Sequence, residues 1–271
     1  MPARNPTCTE PAKARPPSPR SGPISGLVLC LLLLLPAAAS GGGCPADRLA
    51  GYTWLTEEYY PFNYLENGVM RGVSVDLLRM VWAELGTPEQ RVESMPWARA
   101  YERLQHEPDT VLFCMARTPE REHAFRWAGP IASVRFVLIA RKDRHIRLDS
   151  LNDLKGLAVG TLREDVSDTL LAGYQGVASI QPVARMRQNI SKLMTGRLDL
   201  VAYEEGCWRK ITARDGLDPD SFETVYVLRE TPVYYAFHPD TPAEVVDAFQ
   251  AALDRVKARP GYRELLDAYL R

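Results

Sequence analysis

From residue 45 onward the apolar positions fall into short blocks whose spacing alternates between the two-residue period of a strand and the 3.6-residue period of a helix. "AGYTWL" reads as a first strand, and the "ENG" inside "YYPFNYLENGVMRG" marks a tight turn. Ser74 is the predicted N-cap of "VDLLRMVWAELG", where Leu77, Leu78, Val81, Trp82 and Leu85 share a face and Gly86 supplies the stop. "PWARAYERLQ" is a second amphipathic helix, and "TVLFCMA" is a continuous apolar run of the kind buried parallel strands show. "VRFVLIARKD" predicts a long strand, and "SLNDLKGLAVGTL" a short helical segment ahead of another. "ASIQPVARMRQNISKLMTGRLDLVAYEEGCW" reads strand, helix, Gly196, strand. "PVYYAFHPD" closes the strands. A helix follows from the Thr241-Pro242 pair, with Val245, Val246, Phe249, Leu253 and Val256 on one face, and "GYRELLDAYL" ends the chain. Such alternation predicts an α/β protein with mostly parallel sheets.

The first forty-odd residues follow another logic. Arg4, Lys13, Arg15 and Arg20 precede an apolar run from Ile24 to Leu35, then Pro36, three alanines and a glycine stretch, the order of a secretory signal. The run is short of the roughly 20 apolar residues that a spanning helix requires, so export is expected rather than a permanent membrane span. Two cleavage points fit. One lies near Ala39; the other lies just before Cys44 and would leave a lipid-anchored cysteine, although "GGGC" is a poor lipoprotein box.

Charge narrows the function classes. Residues 1–44 hold four basic residues and one acidic, leaving 29 basic against 33 acidic beyond them, a net −4 with interspersed signs. No electrostatic footprint for nucleic acid exists in that balance. His106, His123, His145 and His238 are scattered with no ligand-like spacing, which predicts no metal site. G-x-S-x-G, G-x-G-x-x-G and P-loop words are absent, so no cofactor is expected. Cys114 and Cys207 are compatible with a disulfide in an oxidising compartment, but two small buried thiols fit their surroundings better.

Four stretches in order, "YYPFNYLENGVMRGVSVDLL", "RTPERE", "LKGLAVGTL" and "GRLDLVAYEE", give the chain from about residue 49 to 270 a resemblance to bacterial periplasmic solute-binding proteins of the polar amino-acid type. The resemblance implies a two-lobe type II periplasmic binding fold, α/β in class, with two crossing hinge strands. It places a leader at 1–43, one lobe at 45–137 plus 232–271, and the other at 138–231. The crossings would be "RFVLIARKD" and "ETPVYYAFHPD". A monomeric, periplasmic receptor is implied, working with the membrane subunits of an ABC importer or with a separate membrane receptor.

The same resemblance nominates the site. Arg121, in the "TPxR" word, would hold a ligand carboxylate, a task suited to a guanidinium that stays charged and bonds bidentately. Its bland alternative is a surface pair with Glu120 or Glu122. Glu204, at the end of "LDLVAY", would hold a ligand ammonium at the carboxyl end of a strand, where open α/β folds bind ligands. The alternative of a helix-start acid suits Glu205 better. Tyr59 and Trp97 match positions that pack apolar side chains on the ligand, with Trp97 equally readable as core. Trp54, Trp82 and Trp127 are assigned to packing.

Departures from the family pattern shift the ligand expected. Where many amino-acid binders carry small hydroxyl residues after the "VG.L" strand, Glu164, Asp165 and Val166 stand here, and an acid such as Asp165 would repel a carboxylate. Cys114, Ala116 and Arg117 likewise replace hydroxyl residues before "TPxR". An amine-bearing or cationic solute becomes more credible than a plain α-amino acid. The competing function is a cyclohexadienyl-dehydratase-like enzyme, with Glu204 or Asp165 as a cleft acid raised toward neutrality.

Overall fold

The computed structural model describes residues 45–270; the leader and Cys44 lie outside them. After a short helix α1 (Pro45–Leu49) come strand β1 (Thr53–Thr56) and a hairpin of β2 (Tyr64–Glu66) and β3 (Val69–Arg71). The predicted "ENG" turn is there: Asn67 (φ 52°) and Gly68 (φ 79°) both take left-handed conformations, which the tight hairpin turn requires.

Helix α2 (Val73–Leu85) ends as expected at Gly86 in the left-handed region, but it begins earlier than predicted, capped at Gly72 rather than Ser74. Gly72 has φ 119°, and a Cβ there would sit 2.3 Å from the Phe62 carbonyl oxygen, so only glycine fits. Ser74 is instead buried inside the helix, its Oγ 2.6 Å from Cys114 Sγ.

The chain continues through β4 (Val92–Ser94), α3 (Trp97–His106), β5 (Thr110–Ala116) and β6 (Arg126–Arg141), then β7 (Ala158–Leu162), α4 (Val166–Leu171), β8 (Ser179–Val183) and α5 (Met186–Met194). It finishes with β9 (Leu200–Glu204), α6 (Glu205–Arg214), β10 (Phe222–Phe237), α7 (Ala243–Lys257) and α8 (Pro260–Leu270). Eight strands form one sheet in the order β4-β1-β5-β10-β6-β9-β7-β8. Its flanks are parallel, β4-β1-β5 on one side and β9-β7-β8 on the other. The centre is antiparallel, which the strand-helix alternation did not predict: β10 pairs with β5 and β6, and β6 with β9.

The two central strands carry the architecture. Each is 16 residues long and they pair from Phe222↔Arg141 to Phe237↔Arg126, with three register shifts along the way. Both start well before the crossing segments anticipated. Gly129-Pro130 looks like a break in β6, and the first half of β10 is only partly buried, so neither reads as strand. One end of the pair belongs to the β5 flank and the other to the β9 flank, so among the described residues these two strands join the sheet's two halves.

One buried cluster runs through both halves, joining Trp54, Trp82 and Phe249 on the β5 side to Val201, Trp208 and Ile211 on the β9 side. On the β5 side Trp54 meets Trp82 edge-on at 5.2 Å, and Phe249 of α7 lies 5.7 Å from Trp54 and 5.3 Å from Phe237. Side chains of this kind contribute about 1.5–3 kcal/mol each on burial. The predicted faces of α2 and α7 are the buried ones, except that Leu85 is only partly covered. All seven residues of β5 are buried, as its apolar run requires. Trp127, expected in the packing, is half-buried between Phe125 and Tyr234. Among the described residues no helix is long and apolar enough to cross a membrane.

Candidate functional site

Two loops meet between the halves of the sheet. The loop leaving β5 delivers Arg117 and Arg121. Arg117 takes Glu122 through two hydrogen bonds, its Nε at 2.6 Å from Oε2, and lies over the Trp127 and Tyr234 rings. With Glu122 so occupied, Arg121 turns inward instead of pairing at the surface. Only 7 % of it is exposed, and its guanidinium lies over Trp97 (5.4 Å) and Tyr101 (5.1 Å). Nη2 donates to the carbonyl of Glu164 at 3.0 Å, while Nη1 is buried with no partner among the described residues.

The opposing loop follows β7. Glu164 holds φ 61°, fixed by Asp168, whose carboxylate accepts from Glu164 N (3.0 Å) and Thr161 Oγ1 (2.7 Å). That conformation aims the Glu164 carbonyl, not its carboxylate, at the other loop. Trp97 Nε1 also donates to this oxygen at 3.0 Å, so one acceptor receives two donors across the gap. Trp97 is therefore buried, stacked on Tyr101 at 6.0 Å, and also a bridging donor, a role that neither of its predicted readings contained.

Asp165 comes next. It is buried, accepts from Ser167 Oγ at 3.2 Å, and burial raises its pKa while the Arg121 charge pulls the other way. Glu57, just past the end of β1, retains some solvent contact on a cavity wall yet sits deep in the molecule. Burial pushes its carboxyl well above the usual range, and the Asp165 charge adds to the push. Glu57 was not among the predicted site residues. The signal lay in "TWLTEEYY", an acidic pair at the carboxyl end of a strand.

Glu204, the last residue of β9, is buried and turns onto its own helix. Oε1 accepts from Gly206 N (3.0 Å) and Oε2 from Cys207 N (2.5 Å), making it the N-cap of α6. The helix-start role assigned to Glu205 thus belongs to Glu204. Glu205 instead pairs with Arg135 (3.3 Å) and accepts from Thr224 Oγ1 (2.6 Å). Tyr59 is buried, stacked on Phe62 at 5.5 Å and edge-on to Tyr203 of β9 at 5.8 Å. Cys114 and Cys207 are free, buried thiols, and burial raises both pKa values.

Two cavities flank these contacts and share no lining residue. One, of about 370 Å³, is bounded by Glu57, Glu58 and Pro96 from the β1 side and by Leu162, Arg185 and Arg214 from the β7 side. The other, of about 430 Å³, has Thr118 and Arg121 facing Glu164, Thr169 and Arg229. Arg121, Trp97 and Asp165 therefore form one cluster, whereas Tyr59 and Glu204 lie beside Tyr203 and Cys207; Asp165 is within electrostatic reach of both groups. Among the described residues no three His, Cys, Asp or Glu side chains are placed to hold a metal ion.

The architecture has many relatives among solved structures. A mutant of ArgBP from T. maritima is similar with a TM-score of 0.73 at 21% identity, over 83% of this chain and 98% of that one. A histidine kinase sensor domain with similarity to periplasmic binding proteins gives 0.71 at 19%, over 80% and 96%. AncCDT-1, an ancestral amino acid-binding protein and precursor of cyclohexadienyl dehydratase, gives 0.67 at 20%, over 83% and 99%. At these identities the likeness establishes the fold: two α/β lobes joined by β6 and β10. No curated protein sequence matches the chain significantly. The family model of the bacterial extracellular solute-binding proteins, family 3, matches residues 53–271, and the chain belongs to that family.

Proposed function

We propose that the protein is an exported, monomeric receptor that captures a small polar, amino-acid-like or amine-bearing solute between lobes 45–137 plus 232–271 and 138–231, and delivers it to the membrane subunits of an ABC importer. The observation that carries this reading is Arg121: a buried guanidinium lying over the stacked Trp97 and Tyr101 rings, with one nitrogen bonded across the cleft and the other unpartnered. A buried donor without a partner is costly, and a ligand carboxylate offers the acceptor that Nη1 lacks. Glu57 and Asp165 supply the opposite character. A buried acid and a cavity-wall acid that repel each other favour a cation brought between them, which is why an amine or guanidinium end fits better than a second carboxylate. In this reading Tyr59 and Trp97 supply aromatic contacts to the solute, and Glu204, the N-cap of α6, stands as an acid near Tyr59.

Because each lobe contributes part of the site, binding would favour the closed arrangement by its differential affinity for it. The test is a thermal-shift panel of amino acids, diamines, guanidines and small carboxylates, since a ligand that binds only the folded state raises the melting midpoint with concentration. A shift with cationic amino acids that disappears in Arg121→Ala supports the reading. A panel without any shift overturns it.

A second reading has one observation in its favour. Glu57 and Asp165 are acids kept toward their protonated forms inside a cleft, the condition for general-acid chemistry of the cyclohexadienyl-dehydratase kind. Turnover of prephenate or arogenate, followed spectroscopically, separates an enzyme from a receptor. A sensory role through a separate membrane receptor would use the same solute site, with the partner rather than the ligand differing.

A further inference from the structure

Arg214 is the last residue of α6, where a cation is favoured by the helix dipole. Its guanidinium leaves its own half of the sheet and enters a box made by one short stretch of the other half. The guanidinium carbon lies 4.9 Å from the Tyr60 ring centroid and 5.1 Å from that of Tyr64, and those rings meet edge to face at 4.7 Å. Arg214 Nη1 is 3.5 Å from Glu58 Oε1, and Glu58 is steadied by Leu65 N, which donates to Oε2 at 3.2 Å. Arg214 and Glu58 both line the 370 Å³ cavity, on opposite walls. A side chain that joins the two walls at the rim must be withdrawn for the walls to part.

We propose that Arg214 is a latch residue, docking in the Tyr60–Tyr64–Glu58 box to hold the lobes together and set how long the closed form lasts. The inference rests on the hinge-closure reading above, but it concerns a contact made outside the Arg121 cluster, between groups that need touch no solute. A guanidinium suits the box because it is weakly hydrated and broad, so its charge lies within reach of both rings while a nitrogen is kept for Glu58. An ammonium would hold only part of this.

The experiment measures the interlobe distance directly in the full chain. Spin labels carried on non-natural ketone side chains at exposed positions 91 and 175 avoid the native thiols, and pulsed electron paramagnetic resonance reads the distance distribution. Arg214→Ala is expected to raise the ratio of long to short distances about three- to tenfold, the range that partly exposed cation–π contacts supply. Arg214→Lys should fall between Ala and the parent; being milder, it also serves if the alanine variant folds poorly by circular dichroism. Arg209→Ala removes an exposed pair with Asp220 in the same half and should change nothing. An unchanged distribution in Arg214→Ala, alongside lengthening in the double variant Trp97→Phe/Arg121→Ala, overturns the latch while leaving hinge closure intact. No lengthening in any of these variants overturns the hinge reading and the latch with it.

Discussion

Trp97 Nε1 and Arg121 Nη2 donate to the same atom, the carbonyl oxygen of Glu164, each at 3.0 Å. The donors come from α3 and the loop after β5; the acceptor comes from the loop after β7. A carbonyl with two lone pairs accepts both, so the main chain of one half serves as a fixed stop for two side chains of the other.

Replacing Trp97 by Phe keeps an aromatic ring against Tyr101 and removes the indole N–H. The expected loss is about 1 kcal/mol in urea unfolding, the usual net value of one hydrogen bond. Far-UV circular dichroism should stay unchanged. A loss above about 3 kcal/mol would mean that the larger ring's packing, not its donor, dominates.

Glu57→Gln should stabilise the protein at neutral pH. With its pKa raised above the unfolded value, the Glu57 carboxyl binds its proton more tightly in the folded state, so its contribution is complete below the unfolded pKa and is lost as pH rises through the folded one. The variant should gain about 2–4 °C in melting midpoint at pH 7.5 relative to the parent, with the difference shrinking toward pH 4. Asp165 titrates with the same sign, so a residual slope is expected in the variant. Affinity for a cationic ligand should fall at the same time.

Glu204→Ala removes an N-cap whose two oxygens accept the Gly206 and Cys207 amides. A cost of about 1–2 kcal/mol in urea unfolding is expected from the cap alone. Glu204→Asp, which shortens the reach, should recover part of that. Recovery of stability without recovery of ligand-induced shift would assign Glu204 a second role at the ligand.

Cys114 and Cys207 should resist aromatic disulfide reagents at pH 8 in the folded protein, because burial disfavours both thiolates. Adding denaturant should release both at once. Rapid modification of the native state would show that their surroundings open locally.

Gly72→Ala forces a Cβ against the Phe62 carbonyl at a backbone angle that L-residues rarely adopt. A loss of about 2–4 kcal/mol is expected by chemical denaturation. A neutral result would mean that the start of α2 can shift to Ser74, where the sequence places it.

Elements with a strong local period were legible in the sequence. The buried faces of α2 and α7, the all-apolar β5 and the "ENG" hairpin each have a period or turn word that local sterics enforce. What was not legible depends on partners far along the chain. The early halves of β6 and β10 look unlike strands, yet each is held by pairing with the late half of the other strand, roughly 80 to 110 residues away in sequence. Arg121 could be placed in a cleft only by the family word around it, since Glu120 and Glu122 were nearer in sequence; the structure gives Glu122 to Arg117. The Glu164 carbonyl was invisible for a simpler reason: a main-chain atom leaves no mark in residue type. Glu57 does leave a mark, as an acid at the carboxyl end of β1, but nothing in its local pattern separates it from Glu58 beside it.

The sheet order carries a consequence for how the chain is made. β5, seven buried apolar residues, takes its neighbour on one side from β1, but on the other from β10, which is synthesised more than a hundred residues later. Until then "TVLFCMA" is an open hydrophobic edge, a template for aggregation. The α2 face waits in the same way for α7. A ribosome releasing this chain therefore cannot complete the pairing of its first half before its last, which delays full compaction until nearly the whole polypeptide has emerged.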